Sequence, residues 1–525
     1  MKGDAVTSAD LALIGGNILT LNLSKPHVEA IAVKNDKIVK VGTNEEINQL
    51  VGKETKVIRL NRKTVVPGLI DTHIHVSDFG KLLTWIDLSG VSSIKEMQKR
   101  LSRRVKKSSK RKWLLGRGWD ETCLAENRLP TRFDLDLVSP DNPVIFYHQT
   151  GKICVVNSKA LELAGVTRLT PVPPGGAVDR DAETNELTGV LRDNATNLIW
   201  TVVVEPTEKE VVQAAALACQ KILEAGVTSV HWMVLSSTEL SVIRTLHEQN
   251  KLPMRVYVII PMNLLDSIVG FRSGADSNLM IGGVVISADG YLAAKTAALF
   301  QPYNDGSSAS ANLLCSQEEM KTAASKILKM GMQLVIHAMG DKAVDAALEA
   351  IEQTSEEAPR SARIRFEQAA VLNEELIKRI REQNVIVSVQ PCVIASEFSV
   401  WSAVENLGAE RARWLYPIKT LLKEGIRVVG GSDCPMEPLS PFIGIQALVT
   451  RKFFPEERLT IDDALQMYTI NAAYSSGQEN LKGSLEEGKL ADFVVLSCDL
   501  SKVLPSKIGN VKVAMTVVGG KVVFC

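Results

Sequence analysis

Hydrophobic and polar positions change rhythm twice along the chain. Over the first 65 residues they form short strand-like pieces, ADLALIGGNILTL, VEAIAVKNDKIVKVG and TKVIRL, with Gly15-Gly16 and Asn35-Asp36 supplying turn chemistry between them. This predicts an antiparallel β module. The last forty residues return to the same style in ADFVVLS and VKVAMTVVGGKVVF, where Gly519-Gly520 reads as a tight hairpin turn. The two ends are expected to pair into one small β-sandwich.

Between the ends, short continuous apolar runs alternate with long helical stretches, the signature of parallel strands covered on both faces. Eight runs stand out: TVVPGLIDTHIH, GVTSVHWM, MRVYVII, GGVVISADG, MQLVIHAMG, RIRFEQAAV, VIVSVQP and IRVVGGSDCP. The amphipathic stretch EKEVVQAAALACQKILEAG, ending at Gly226, typifies the segments between them. Eight strands alternating with helices predict an α/β fold, a closed (β/α)8 TIM barrel. From the first run to the second the chain travels from about residue 76 to about 225, far more than one crossover of a dozen or so residues needs. An insertion after barrel strand one, about residues 90–205, is therefore expected. Within it, RKWLLGRGWDE and PVIFYHQTGKICVVNS read as strands, and Asn157-Ser158 is placed to cap the short helix SKALELAG. The boundaries that follow are 1–66 for the first part of the sandwich, 67–484 for the barrel and 485–525 for the second part.

Composition narrows the function. A chain of 525 residues with 45% apolar content can bury a large core, and Lys+Arg and Asp+Glu are both 60, so no global field favours nucleic acid or an anionic membrane surface. A small-molecule substrate is the simpler expectation, and a homo-oligomer stays open. The eight cysteines are scattered, with no CxxC pair, which fits reduced thiols. Asp4 and Asp10 interrupt the N-terminal stretch, and no run reaches the roughly 18 apolar residues of a membrane span. These features predict a cytoplasmic protein.

Histidine is scarce, seven in 525 residues, so its placement carries information. Two of the seven form His73-Ile74-His75 at the C-terminal end of the first barrel strand. Alternation along a strand puts both imidazoles on one face, and barrel active sites sit at that end of the strands. His337 ends the fifth run and Asp433 the eighth, at the same end as the pair. Four N/O ligands then converge. Such a set suits one Zn²⁺, or Fe²⁺ or Mn²⁺, with an open position for a water whose pKa can fall to about 7. The competing reading gives each residue only a hydrogen-bonded place at a strand end.

The pieces PGLIDTHIH, IHAMGD, SVQP, GGSDCP and KGSLEEGKLADFVVL resemble the amidohydrolase superfamily, and the resemblance runs nearly the whole chain. GRGWDET, LPTRFDLDLVSPDNPV, NSKALELAGV, PPGG, DGYLAAKTAALFQPY and the TINAA near residue 471 are similar to the family-3 branch that includes N-substituted formamide deformylases. The resemblance implies a metal-activated hydroxide attacking a carbonyl or imidoyl carbon. It also implies that the aspartate after strand eight, here Asp433, takes the water proton and passes it to the leaving nitrogen.

Three departures from the family pattern matter. Where a carboxylated lysine bridges two metals in strand four, this chain has Val285. Where a histidine follows the glutamate of strand six, it has Gln368, a poorer ligand. Glu367 is not expected to substitute, because adjacent strand residues point to opposite faces. Losing both ligands while keeping the other four describes a mononuclear site. In the insertion, Gly151-Lys152 replaces a Gly-His pair, with His148 close by; Lys152 either reads an anionic substrate group or is a solvated charge.

Other residues invite two readings each. His231 could line the pocket or pack beside Trp232; Asp289 could reach metal or substrate or terminate a strand; Asp120 and Glu121 could belong to a lid or to the surface. Cys434 has no evident basic partner for a nucleophilic role. The resulting expectation is a cytoplasmic hydrolase of a non-peptide C–N bond. An ester, lactone or cyclic amide substrate is the alternative, as is a catalytically impaired metal- or small-molecule-binding receptor.

Overall fold

Eight parallel strands form the largest sheet of the computed structural model, which describes residues 8–268, 278–304, 312–354 and 363–525. They are β1 (Leu69–Ile74), β2 (Val227–Met233), β3 (Arg255–Pro261), β4 (Leu279–Ser287), β5 (Gln333–Ala338), β6 (Arg365–Gln368), β7 (Ile386–Val389) and β8 (Val428–Gly430). Each pairs in parallel with its neighbour in sequence, from β1 through to β8. Every residue of β2 and of β5 is buried, as strands covered on both faces must be. The helices between them are amphipathic. Glu374–Glu382, for example, buries Leu376, Ile377 and Ile380 and is capped by the Asn373 side chain, which accepts from Leu376 N–H.

The first and last strands meet at their C-terminal ends. Asp433 N–H donates to His73 O at 2.8 Å, and His75 N–H donates to Cys434 O at 3.0 Å. Glycine permits this approach: a Cβ at Gly431 would lie 2.6 Å from His73 N. The sheet is thus an eight-stranded near-barrel, and the loops after β1, β5 and β8 leave from one end, where ligand sites of such folds lie.

The first apolar run divides at Gly68. Thr64–Pro67 joins a sheet with strands from both chain ends, pairing antiparallel with Phe493–Leu496, while β1 begins at Leu69. The Gly519-Gly520 turn, with φ of 53° and 72°, links Val513–Val518 to Lys521–Phe524. A second sheet holds four strands between Leu11 and Arg59, and Leu13, Ile31, Val65, Phe493 and Val495 share one buried cluster. Not all of the N-terminal pairing is antiparallel, as the pattern had suggested. Leu11–Ile14 pairs in parallel with Lys56–Arg59, because the helix Asn44–Asn48 lies on the connection and lets the chain re-enter in the same direction.

The chain divides into two compact units, Met1–Phe79 with Ala215–Cys525, and Gly80–Ala214. The second has its own six-stranded sheet, which includes Leu114–Trp119, Val144–His148 and Ile153–Val156, and its own core around Trp119, Leu135, Val144, Phe146 and Val155. Asn157 caps the helix Ser158–Leu163 through Ala160 N–H at 3.0 Å. Among the described residues no helix is long and apolar enough to cross a membrane.

Candidate metal centre

His73 lies on the last turn of pleat in β1 and His75 one residue beyond the strand. Their side chains converge on Asp433: His73 Nε2 is 3.6 Å and His75 Nε2 3.5 Å from Asp433 Oδ1. One ligating atom from each of the three lies within 4.8 Å of the others. Asp433 sits just past β8 with φ of 59°, a left-handed conformation that aspartate tolerates better than most side chains. Asp71 staples the two strands beneath it. Its Oδ1 accepts from His73 N–H at 3.1 Å and from Ser432 N–H at 2.9 Å, and burial pushes its carboxyl up to about 6.

The three residues fit a divalent cation. Ligands that each sit about 2.0–2.2 Å from a tetrahedral ion lie roughly 3.3–3.6 Å from one another, and the two separations here, 3.5 and 3.6 Å, fall in that range. The ring of His73 is oriented for the task. Its Nδ1–H donates to Glu367 Oε2 at 2.9 Å, which leaves Nε2 as the lone-pair nitrogen facing Asp433. Burial alone would lower the His73 pKa, but Glu367 and Asp433 outweigh it and raise it, so the pocket favours positive charge.

Glu367 is 1% exposed and ion-paired with the fully buried Arg365. Arg365 donates further to His231 Nδ1 at 2.8 Å, Thr72 O at 2.6 Å and Ser388 Oγ at 2.9 Å. Burial opposes ionisation of Glu367, yet Arg365 and His73 hold its carboxyl below the usual range. A chain of polar contacts thus runs from His231 through Arg365 and Glu367 to His73. The sequence reading missed it. Its signal was the spacing Arg365-x-Glu367, two charges on one face of a buried strand.

Gln368 lies on the same strand. It ends β6 with φ of 73°, and its Oε1 accepts from the Tyr416 hydroxyl at 2.7 Å, in a buried position. Val285, where the family lysine would stand, packs against Met233, Tyr257, Ile259 and Val335. His337 is buried at the end of β5, outside the three-residue group. Its Nε2 lies 3.1 Å from Gly290 O, which can only accept, so Nε2 carries the proton and Nδ1 keeps the lone pair.

The remaining candidates fall elsewhere. Both oxygens of Asp289 are engaged by backbone amides, Oδ1 with Met339 N–H and Oδ2 with Ala298 and Gly340 N–H, all at 2.8 Å. These bonds tie Asp289 to the loop that follows His337. His231 is fully buried and accepts from Arg365; burial first, then Arg365, holds its pKa well below the ordinary value. It lies in the buried interior of the sheet. Lys152 is exposed on a turn of the Gly80–Ala214 unit.

Comparison with known proteins identifies the family. The family model described as "Amidohydrolase family" matches residues 56–524. YtcJ of Bacillus subtilis (strain 168) is 32% identical over 97% of this chain and 98% of its own. N-substituted formamide deformylase of Arthrobacter pascens is 27% identical over 97% of each chain. A crystal structure of a metal-dependent hydrolase from Pyrococcus furiosus superposes with a TM-score of 0.76 at 30% identity, covering 95% of this chain and 100% of that one. The chain therefore belongs to the amidohydrolase family and is a hydrolase of its carbon–nitrogen-cleaving class.

Proposed function

We propose that the protein hydrolyses a non-peptide C–N bond of the amide or formamide class at a site holding one divalent cation. The observation that carries this reading is the convergence of His73 Nε2 and His75 Nε2 on Asp433 Oδ1 at 3.6 and 3.5 Å. His73, His75 and Asp433 would hold the ion, with His337 Nδ1 as a further donor. Zinc is the first assignment, and iron or manganese suits the same imidazole and carboxylate set. When bound, such an ion supplies Lewis acidity, acidifying water toward a pKa of about 7 and polarising the electrophile.

Asp433 accepts a proton from the attacking water at a carboxylate oxygen and returns it to the leaving nitrogen, as base and then as acid. Glu367 keeps the proton of His73 on Nδ1 and so keeps Nε2 available. Two features support a single cation. Val285 cannot bridge, and the Gln368 amide oxygen is occupied by Tyr416.

The Arthrobacter pascens relative, an N-substituted formamide deformylase by name, supports a formamide or related amide as the substrate class. An ester, lactone or cyclic amide would yield to the same attack, and product analysis separates them. Val285 and Gln368 favour one reading of another kind, a receptor that binds a small molecule without turnover. We place the hydrolytic domain at residues 67–484, between the two parts of a terminal β-sandwich at 1–66 and 485–525. Balanced charge and free cysteines support a cytoplasmic location, with a homo-oligomer compatible.

The test is amine release from a panel of N-substituted formamides and N-acyl amines by the parent and by Asp433→Asn. Turnover in the parent that is lost in the variant is expected. Full turnover in Asp433→Asn would contradict the proton role, and saturable binding without product would favour the receptor.

A further inference from the structure

The Gly80–Ala214 unit carries a second convergence of ligating groups, made of none of the residues discussed above as the hydrolytic site. Leu114–Trp119 and Val144–His148 run parallel there, with Trp119 opposite His148. Asp120 and Glu121 follow the first strand, and His148 ends the second, so all three gather at one strand end. One ligating atom from each lies within 4.8 Å of the others. His148 Nε2 is 3.1 Å from Glu121 Oε2 and 3.9 Å from Asp120 Oδ1.

Burial makes the arrangement informative. His148 is 7% exposed, and its Nε2, shut off from water beside the two carboxylates, makes no hydrogen bond. Glu121 Oε2 is likewise buried without a hydrogen bond. Burial makes such omissions costly, and an ion between the two atoms removes them.

The surroundings hold the three groups in place. The Trp119 ring meets the His148 ring at 4.9 Å, edge on. Asp120 Oδ1 accepts from Thr122 N–H at 2.9 Å and from the Thr122 hydroxyl at 2.7 Å, while Oδ2 accepts from the Gln149 amide. Those bonds, led by the Thr122 hydroxyl, keep Asp120 ionised by holding its carboxyl below the usual range. Thr150 Oγ1 lies 2.8 Å from His148 Nδ1 and can accept its proton, the outer contact that metal-bound histidines have.

We propose that Asp120, Glu121 and His148 bind a divalent metal cation of the zinc or manganese class that cross-links the ends of the two strands. One imidazole with two carboxylates suits these ions; calcium prefers an all-oxygen shell of six or more ligands. Protons compete with the ion. Thr150 N–H also reaches Nδ1, at 3.2 Å; when that bond dominates, the ring proton sits on Nε2 facing Glu121 and the group is a neutral imidazole beside the carboxylates, without a cation. Metal binding moves the ring proton to Nδ1, where Thr150 Oγ1 accepts it.

The experiment uses the full chain carrying His73→Ala/His75→Ala, so that failure of the hydrolytic reading cannot be mistaken for failure of this one. The chain is stripped with chelator, given zinc chloride, passed through gel filtration and counted by inductively coupled plasma mass spectrometry. One zinc per chain is expected, with a rise in the unfolding midpoint on adding zinc. Adding Glu121→Gln, a conservative change on a half-buried side chain, should abolish both effects; His148→Ala should do the same. Absence of zinc uptake in the His73→Ala/His75→Ala chain, or undiminished uptake after Glu121→Gln, overturns the proposal and leaves the proton-bridged pair.

Discussion

His73 depends on Glu367 as much as on its own place in β1. The Nδ1–H to Oε2 bond of 2.9 Å fixes the ring, and Glu367 also neutralises the buried Arg365. Glu367→Gln should weaken cation binding by about 10–100-fold, read in a metal-buffered titration. It should also cost about 3–5 kcal/mol of stability in urea unfolding, because Arg365 keeps its charge without a counter-ion. Asp433→Asn keeps the shape of the side chain but cannot take a proton; a fall in kcat of about 10²–10⁴-fold is expected, with the circular dichroism spectrum unchanged. His73, His75 and Asp433 were legible in the sequence, since alternation and strand ends determine which side chains meet. Glu367 was not. The reading of β6 took Gln368 as its inward residue, whereas the interior face carries Arg365 and Glu367 and the strand ends at Gln368. Periodicity does not say which of the two faces is interior, nor which nitrogen of His337 is free, because both depend on partners far away in the chain.

The eight parallel strands were legible as apolar runs, because strands covered on both faces need no polar positions. The division of the first run at Gly68 was not, since TVVP and LIDTHI are equally apolar and only their partners differ. The meeting of β1 with β8 rests on Gly431. In Gly431→Ala the new Cβ would lie 2.7 Å from His73 Cβ, so a loss of about 1–3 kcal/mol in urea unfolding and a drop in bound metal are expected together. Stability with metal binding intact would contradict that closure. Lys482 gives a pH test. It is buried, donates to Ser229 Oγ at 2.7 Å, and burial drives its pKa down to about 7. The unfolded chain holds that proton up to about pH 10.4. Between the two values the unfolded state binds more protons, so this group makes stability rise with pH, and below pH 7 its full cost is present. Lys482→Met should therefore exceed the parent at pH 6, by on the order of a few kcal/mol, and lose that advantage by about pH 10. Parallel urea midpoints at those two pH values check it; a constant difference would contradict the shifted lysine.

Two compact units each bring imidazole and carboxylate together at the ends of parallel strands, one at His73, His75 and Asp433 and the other at Asp120, Glu121 and His148. That extra chain lies between the first two runs was legible from its length, where the second compact unit runs Gly80–Ala214, and Asn157 was legible from its capping position. The second cluster was not, because Glu121 and His148 are 27 residues apart and only strand pairing joins them. The central claim is that hydrolysis rests on a single cation at the first group. Metal per chain, counted by mass spectrometry in a Glu121→Gln background purified without chelator, tests it most directly. One zinc, iron or manganese, lost on adding His73→Ala/His75→Ala together with amide turnover, is the expected result. Two ions per chain in that background, or none under metal-replete conditions, would contradict the account.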